Sequence, residues 1–576
     1  MTKMTGGDIV VRALEDEGVP FTFGIPGTHN IELYDSLSRS TSVRPILVTD
    51  EQSASFMADG VSRSSGLLGC VNVVPGAGLT HALSGIAEAY LDGIPMLVLG
   101  CGVRTDSGKA FQLHDVDQQA MVRPVTKAQL RPEDGSDLYA AVRSACRTAR
   151  AAPAGPVFVE IPVNHYLFKH EPGLDAWVYE APVTSGPDPQ ALGQARDLLR
   201  ASRRPLLYLG LGAAGAGADL VDLAERLEAP VATTIQGKGV FPESHPLWLW
   251  CGIGAMAPPS VRKVAGDRDL MLAIGCRFSE VGTGSYGFDP PGPLIHVDVD
   301  DSVLGRNYPA ELGIAADARE FVAALLEELE PRSPDPGLRA AISKGHDQVS
   351  AAWTEGSGER VSPHNLLSGL QELYGPDAVY TTDSGNGTFL AMEHLRLDRA
   401  SSFLAPVDYS CMGYSVPAAL GAALACPDRP AVALAGDGAF LMTGLELLTA
   451  AQLGLPVTIL VLRDRELAQI AQFQQTALAR KTASRLADFD LEALCRGLGV
   501  QYLSLTADSE VSEALGRARS IHADGRPVVV EVEIDYSQAT FFTRGVVRTS
   551  LGRLPWRDRL RFVGRALARR LPGRGG

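Results

Sequence analysis

No uninterrupted apolar stretch of 18 residues occurs anywhere in the 576-residue chain, so nothing in it reads as a membrane span. Its start, MTKMTGGDIVVRALEDEG, enters a helical pattern almost at once and lacks the apolar core of a signal peptide. The eight cysteines form no CxxC pair and have no histidine at zinc spacing, which argues against a metal finger or disulfide framework and for a reducing cytoplasm. Positive charge is short overall. With 52 Lys and Arg against 67 Asp and Glu, the net charge of −15 excludes nucleic acid as the expected partner. Low-complexity tracts are missing too, while 45% hydrophobic residues, 21% charged residues and 60 glycines describe a soluble α/β enzyme. The length exceeds one core and predicts roughly two to four domains.

One segment reverses the charge balance. From Arg544 to Gly576 there are ten arginines and one acidic residue, Asp558, and the apolar positions Leu560, Phe562, Val563, Ala566, Leu567 and Leu571 fit a helix. A basic amphipathic helix can bind an anionic membrane. The favoured reading is packing on the acidic body or over an active-site mouth rather than membrane contact.

Short β-rich runs alternate with helical patterns along the chain. In the first unit, runs at 45–49, 68–74, 96–99 and 157–161 enclose helical patterns at 51–63 and 79–91. After the linker APVTSGPDPQ, runs at 205–211, 231–234, 270–274 and 294–299 make a second unit. A polar, helix-rich connector at 333–358 leads to a third, with runs at 379–382, 431–435, 457–461 and 528–534. The pattern predicts α/β architecture, three domains each with a mostly parallel sheet flanked by helices, over residues 1–175, 185–345 and 360–545 with a basic tail at 546–576. The second unit opens on LGLGAAGAG, glycine-rich but without a clean dinucleotide fingerprint; a structural loop is favoured over a working flavin site.

The chemistry-bearing feature is Gly436-Asp437-Gly438 at the end of one apolar run, with Asp464 at the end of the next. Two strand ends that each deliver a carboxylate suit a divalent cation with hard oxygen ligands, and the glycines let backbone N–H groups approach a diphosphate. Alone, GDG is an ordinary turn. Its context is MGYSVPAALGAALA upstream, FTFGIPGTHNIELYDSL and TDEQSASFMADG near the start, and APVATTIQGKGVFPESHP and IHVDVD in the middle. Together these segments resemble the thiamine-diphosphate-dependent enzymes of the acetolactate synthase and benzoylformate decarboxylase superfamily over nearly the whole chain.

That resemblance implies thiamine diphosphate and Mg²⁺ as cofactors, and domains that bind the pyrimidine and the diphosphate flanking a central nucleotide-domain-like unit. By it, Asp437, Asp464 and the backbone carbonyl of Glu466 hold the metal. Gly385, Asn386, Gly387, Gly436, Gly438 and Ala439 lie on the phosphates. Met412 props the cofactor into its bent form, and the Ser410 carbonyl accepts from its amino group. Glu51 is the proton relay; as an isolated residue it would be an exposed glutamate at a helix start, and Met412 a core methionine. Gln112 is assigned to catalysis, and Thr28, His29, Phe111, Gln469, Ile470 and Phe473 to the substrate pocket. FAD has weak support. Because the family places the relay and the diphosphate domain of one site on different subunits, a homodimer or homotetramer is implied.

Two departures stand out. The family has Asn where this chain has Asp464, which adds negative charge beside a diphosphate unless Arg463 or Arg465 offsets it. It also has an arginine for the acceptor's carboxylate where this chain has Val281 in RFSEVGTG. His81 reads as structural. The expected activity is decarboxylation of a pyruvate-like 2-oxo acid followed by ligation to a carbonyl acceptor, acetolactate synthase-like; alternatives are a non-ligating decarboxylase or oxidase, and a non-catalytic paralogue that serves as a binding subunit.

Overall fold

The computed structural model describes residues 3–174, 177–178, 186–353, 359–553 and 555–569. Three sheets of six parallel strands organise them. The first runs, edge to edge, Arg44–Leu47, Phe21–Gly24, Gly69–Val73, Met96–Gly102, Pro156–Pro162, Ala128–Leu130. The third runs Phe403–Leu404, Val379–Thr382, Ala431–Gly436, Val457–Arg463, Val528–Glu533, Gln501–Leu505. Counted in chain order within each sheet, both have the order 2-1-3-4-6-5, so the first and third units share a topology as well as an architecture.

The central sheet differs. Its order is Trp248–Cys251, Val231–Thr233, Pro205–Leu209, Leu270–Ile274, Leu294–Asp298, Leu312–Ala315, which is the 3-2-1-4-5-6 order of dinucleotide-binding folds. The inner strands are mainly apolar because helices cover both faces, most fully in Leu270–Ile274, where every residue is apolar and buried. Linker residues 181–185, connector residues 354–358 and Leu571 of the tail lie outside the described residues. The connector otherwise forms the Pro336–Trp353 helix and the tail the Trp556–Ala568 helix.

The first and third units meet through two helices, Glu51–Ser65 and Ser415–Ala425. Small residues allow the approach. A Cβ on Gly60 would sit 2.3 Å from the Ala418 carbonyl oxygen, and one on Gly421 2.1 Å from that of Met57. Buried between them, Asp59 is paired with Arg63 at 2.6 Å, and Arg63 reaches Asp92 at 2.8 Å. No helix among the described residues is long and apolar enough to cross a membrane.

Candidate active site

Parallel strands deliver their C-terminal ends to one edge, and ligands bind where strand order reverses, between the first and third strands of this topology. In the third unit those strands are Val379–Thr382 and Ala431–Gly436, and they are followed by Asp383–Gly387 and by Asp437. A cavity of about 140 Å³ opens there. Gly385, Asn386, Gly387, Met412, Gly436, Asp437, Gly438, Ala439, Asp464, Glu466, Gln469 and Ile470 all line it, so twelve residues expected from sequence converge on one place. Every lining residue falls between 383 and 536.

The backbone is shaped for a ligand. Gly385 has φ 147°, and a Cβ there, as at Gly436, would meet no atom within 4 Å, so both turns face open space. Gly438 is closed on one side, where an added Cβ would lie 2.7 Å from Leu467 Cδ2 and 3.6 Å from Met412 Cε. The Asn386–His394 helix starts at this loop, and near its end Glu393 is buried and accepts from the Phe542 N–H at 3.0 Å. Phe389 of the same helix stacks on Phe542, with ring centres 3.8 Å apart.

Asp437 accepts from the Gly438 N–H at 2.9 Å and the Arg465 N–H at 2.8 Å. Burial nevertheless raises its pKa. Asp464 is pushed up to about 7, first by burial and then by the charge of Asp437. A divalent cation between the two carboxylates removes that repulsion, and hard oxygens are the donors it requires, so the residues present fit a metal-diphosphate group.

The expected compensation by arginine takes another form. The Arg463 guanidinium turns away, 2.5 Å from Asp488 and 2.9 Å from Glu531, and lies over the Phe489 ring. Arg465 forms a two-pronged pair with Glu533 at 2.9 and 2.6 Å. Positive potential reaches Asp437 from Arg463 and Asp464 from Arg360 without direct contact. Glu466 directs its side chain to Lys481 and, at 3.7 Å, to Arg485.

The other seven expected residues sit elsewhere. Ser410 lies outside the cavity wall, in a left-handed turn (φ 67°), its hydroxyl 2.8 Å from that of Ser384. Phe473 lines a second, outer chamber of about 470 Å³ that shares Tyr536 with the first. Glu51 belongs to the N-terminal unit, buried at the start of its helix behind the Asp50 cap, which accepts from Gln52 at 2.7 Å. Its neighbours are Gly78, whose added Cβ would lie 2.9 Å from Glu51 Oε1, and Val74 against the same glycine. His81 packs here too, its Nδ1 3.5 Å from both Asp50 and Glu51. Thr49, just before Glu51, is held to the C-terminal unit by Glu446, which accepts from the Thr49 hydroxyl at 2.6 Å.

Thr28 and His29 are hydrogen-bonded at 3.1 Å, and the His29 ring meets His114 edge-on at 5.4 Å. Gln112 donates to the Arg104 carbonyl at 2.9 Å, while Phe111 is 100% exposed with φ 57°. These residues and Glu51 form one rim of the N-terminal unit, whereas the metal-diphosphate cavity is built wholly by the C-terminal unit. Sequence reading missed Asp383 and Tyr536. Asp383 is buried, accepts from the Tyr414 N–H at 2.7 Å and from Ser415, and burial lifts its pKa to about 6. Its position directly after an apolar strand is the signal that could have found it.

A third cavity, about 600 Å³, opens at the switch point of the central sheet, lined by Gly212, Gln236, Gly275, Arg277, Asp298 and Asp408 among others. The glycine-rich loop serves this cavity differently from a helix N-terminus. Gly210 is required because a Cβ would meet the Gly275 carbonyl oxygen at 2.1 Å, so two strand ends close on each other there.

Comparison with known proteins places three matches in the order of the three sheets. Residues 4–121 match the family described as thiamine pyrophosphate enzyme, N-terminal TPP binding domain; residues 192–325 match its central domain, and 383–532 its C-terminal TPP binding domain. The acetolactate synthase large subunit of Corynebacterium glutamicum is 32% identical over 555 residues, covering 92% of this chain and 86% of that protein. A probable acetolactate synthase large subunit of Methanocaldococcus jannaschii is 30% identical over 562 residues, 93% of each chain. A probable 2-ketoarginine decarboxylase of Pseudomonas aeruginosa is 34% identical over 482 residues, 81% of this chain and 83% of that one.

Proposed function

The chain belongs to the thiamine pyrophosphate enzyme family, and from that premise we infer that it decarboxylates a 2-oxo acid and joins the remaining fragment to a carbonyl acceptor, as an acetolactate synthase does. The observation that carries this reading is the convergence of Asp437, Asp464, the Gly385–Gly387 loop and Met412 on one cavity. When bound, thiamine diphosphate supplies the carbon nucleophile and the electron sink for loss of CO₂. The protein's part is positioning and proton control. Asp437 and Asp464 hold Mg²⁺ against the diphosphate, with the Glu466 carbonyl as a third ligand and the glycine turns as N–H donors. Met412 would support thiamine diphosphate from below when it is bound, and the Ser410 carbonyl would accept a hydrogen bond from it. Buried Glu51 exchanges a proton with the pyrimidine ring, and Gln112 with the substrate pocket orients the reacting carbonyl.

In this reading the N-terminal unit binds the pyrimidine and the C-terminal unit the diphosphate, each from a different subunit of a homodimer or larger assembly. The exposure of Phe111, and a cavity whose lining comes from the C-terminal unit and does not include Glu51, support that arrangement. The cavity at the central switch point has the size and strand order for FAD, although its loop lacks the usual glycine fingerprint. The decarboxylase among the relatives favours one alternative, release of free aldehyde without ligation.

Pyruvate turnover with thiamine diphosphate and Mg²⁺, followed by CO₂ release and NMR of the products, separates the readings. Acetolactate is expected, with loss of turnover on chelation of the metal. Free aldehyde in equal amount to CO₂ selects the non-ligating enzyme. No turnover with pyruvate or larger 2-oxo acids, together with no cofactor binding by calorimetry, selects the binding subunit. Flavin absorbance in the purified protein tests the FAD assignment.

A further inference from the structure

The outer chamber beside the cofactor cavity carries a charge pattern that the proposed reaction leaves unused. One helix, Ala468–Leu478, serves both spaces: Gln469 and Ile470 face the cofactor cavity, and Gln472 and Phe473 the chamber. Tyr536 is the shared wall, held by a hydrogen bond from Gln472 to its carbonyl at 3.2 Å. Two cationic side chains, Lys481 and Arg544, line the chamber, and no aspartate or glutamate does.

The two cations are differently committed. Lys481 is paired with Glu466, whose carboxylate also faces Arg485 at 3.7 Å, so that cluster keeps a net positive charge. Arg544 has no salt bridge among the described residues. Its Nε donates to the Thr540 carbonyl at 3.4 Å, and its guanidinium carbon lies 4.7 Å from the Phe541 ring centre. The terminal nitrogens of a guanidinium offer the planar fork that matches a carboxylate. Val281, where the family's acceptor arginine would stand, is half-buried against the central core and offers no charge.

We propose that Arg544, with Lys481 on the same chamber wall, binds a substrate carboxylate that survives the reaction, and so selects for a donor or acceptor that still carries a carboxylate after CO₂ is lost. This rests on the carboligase reading. In that reaction the C1–C2 bond of the donor breaks, CO₂ leaves, and the electron pair stays on C2. C2 then bonds to the acceptor's carbonyl carbon, whose oxygen takes a proton. A carboxylate left in the chamber therefore belongs either to a dicarboxylic 2-oxo donor, at its far end, or to an acceptor that is itself a 2-oxo acid. Both have the same chemistry at Arg544.

The test uses full-length enzyme with thiamine diphosphate and Mg²⁺, in two arms. One measures 2-oxoglutarate as donor with acetaldehyde as neutral acceptor; the other measures pyruvate self-coupling, in which the acceptor carries the carboxylate. Arg544→Gln is expected to raise KM by about tenfold in at least one arm, with partial recovery in Arg544→Lys. The arm that moves identifies whose carboxylate is held. Arg548→Gln, exposed and one turn further along the same helix, controls for general surface charge. Shifts below about threefold in both arms, or equal shifts in the Arg548 variant, overturn the proposal. If the wild type decarboxylates neither acid, the carboligase reading fails on its own. Calorimetry with glutarate then still decides: tenfold weaker binding to Arg544→Gln supports the carboxylate site, and equal binding refutes it.

Discussion

At the scale of residues, the groups that do chemistry are held by burial and by backbone N–H groups more than by charge pairs. Asp437 keeps its place through two backbone donors, and Glu393 is likewise held by backbone N–H groups at the other end of the Asn386–His394 helix. Burial pushes Glu393 up to about 8, against the N–H groups of Phe542 and Phe541, which pull it down. A carboxyl whose folded pKa exceeds its unfolded one binds more protons when folded, so its contribution is present below about pH 4.5 and lost as pH rises through about 8. Thermal unfolding measured across that window should show stability falling with pH, and Glu393→Gln should flatten the slope. None of this was legible beforehand, because a glutamate inside a helix carries no sign of what will cover it. The positions of Asp437 and Asp464 were legible, since each stands where an apolar run stops, and both line one cavity; the role expected of Glu51 rests on the resemblance alone. The expected offset of Asp464 by Arg463 or Arg465 was not: both alternate down a strand end towards Glu531 and Glu533, partners on a strand some 70 residues later.

At the scale of elements, the inner strands were readable because burial on both faces leaves continuous apolar runs, as in Leu270–Ile274 and Ala431–Gly436. Apart from Arg44–Leu47, found by the run at 45–49, the edge strands escaped for the converse reason. Ala128–Leu130 is only half-buried, and Gln501–Leu505 alternates exposed with buried positions over five residues, too briefly to register as a period. The join between the first and third units depends on a close approach that a sequence period cannot reveal. Gly421→Val places a branched side chain where a single Cβ is already 2.1 Å from the Met57 carbonyl oxygen. The two helices must part, at a cost of at least about 2 kcal/mol. A lowered unfolding temperature by calorimetry checks this, and an unchanged one would mean that the helices slide without loss.

At the scale of the whole molecule, Glu51 stands on the N-terminal unit, whereas the cavity that holds Asp437 and Asp464 is lined wholly by the C-terminal unit. If two subunits complete each site, Glu51→Gln and Asp437→Ala proteins are each inactive, yet a mixed dimer has one site with both lesions and one with none. Random reassortment of equal amounts should then restore about a quarter of wild-type turnover. No recovery after mixing under conditions that exchange subunits would assign the whole site to a single chain. The Asn386–His394 helix adds a consequence for handling the protein. It is a rod with the phosphate loop at one end and the backbone of Phe542 gripped at the other. A protease cut or a fluorophore beyond Phe541 therefore becomes a gauge of cofactor occupancy, read from the far side of the domain, and an affinity tag fused at the C-terminus becomes a weight on the same lever.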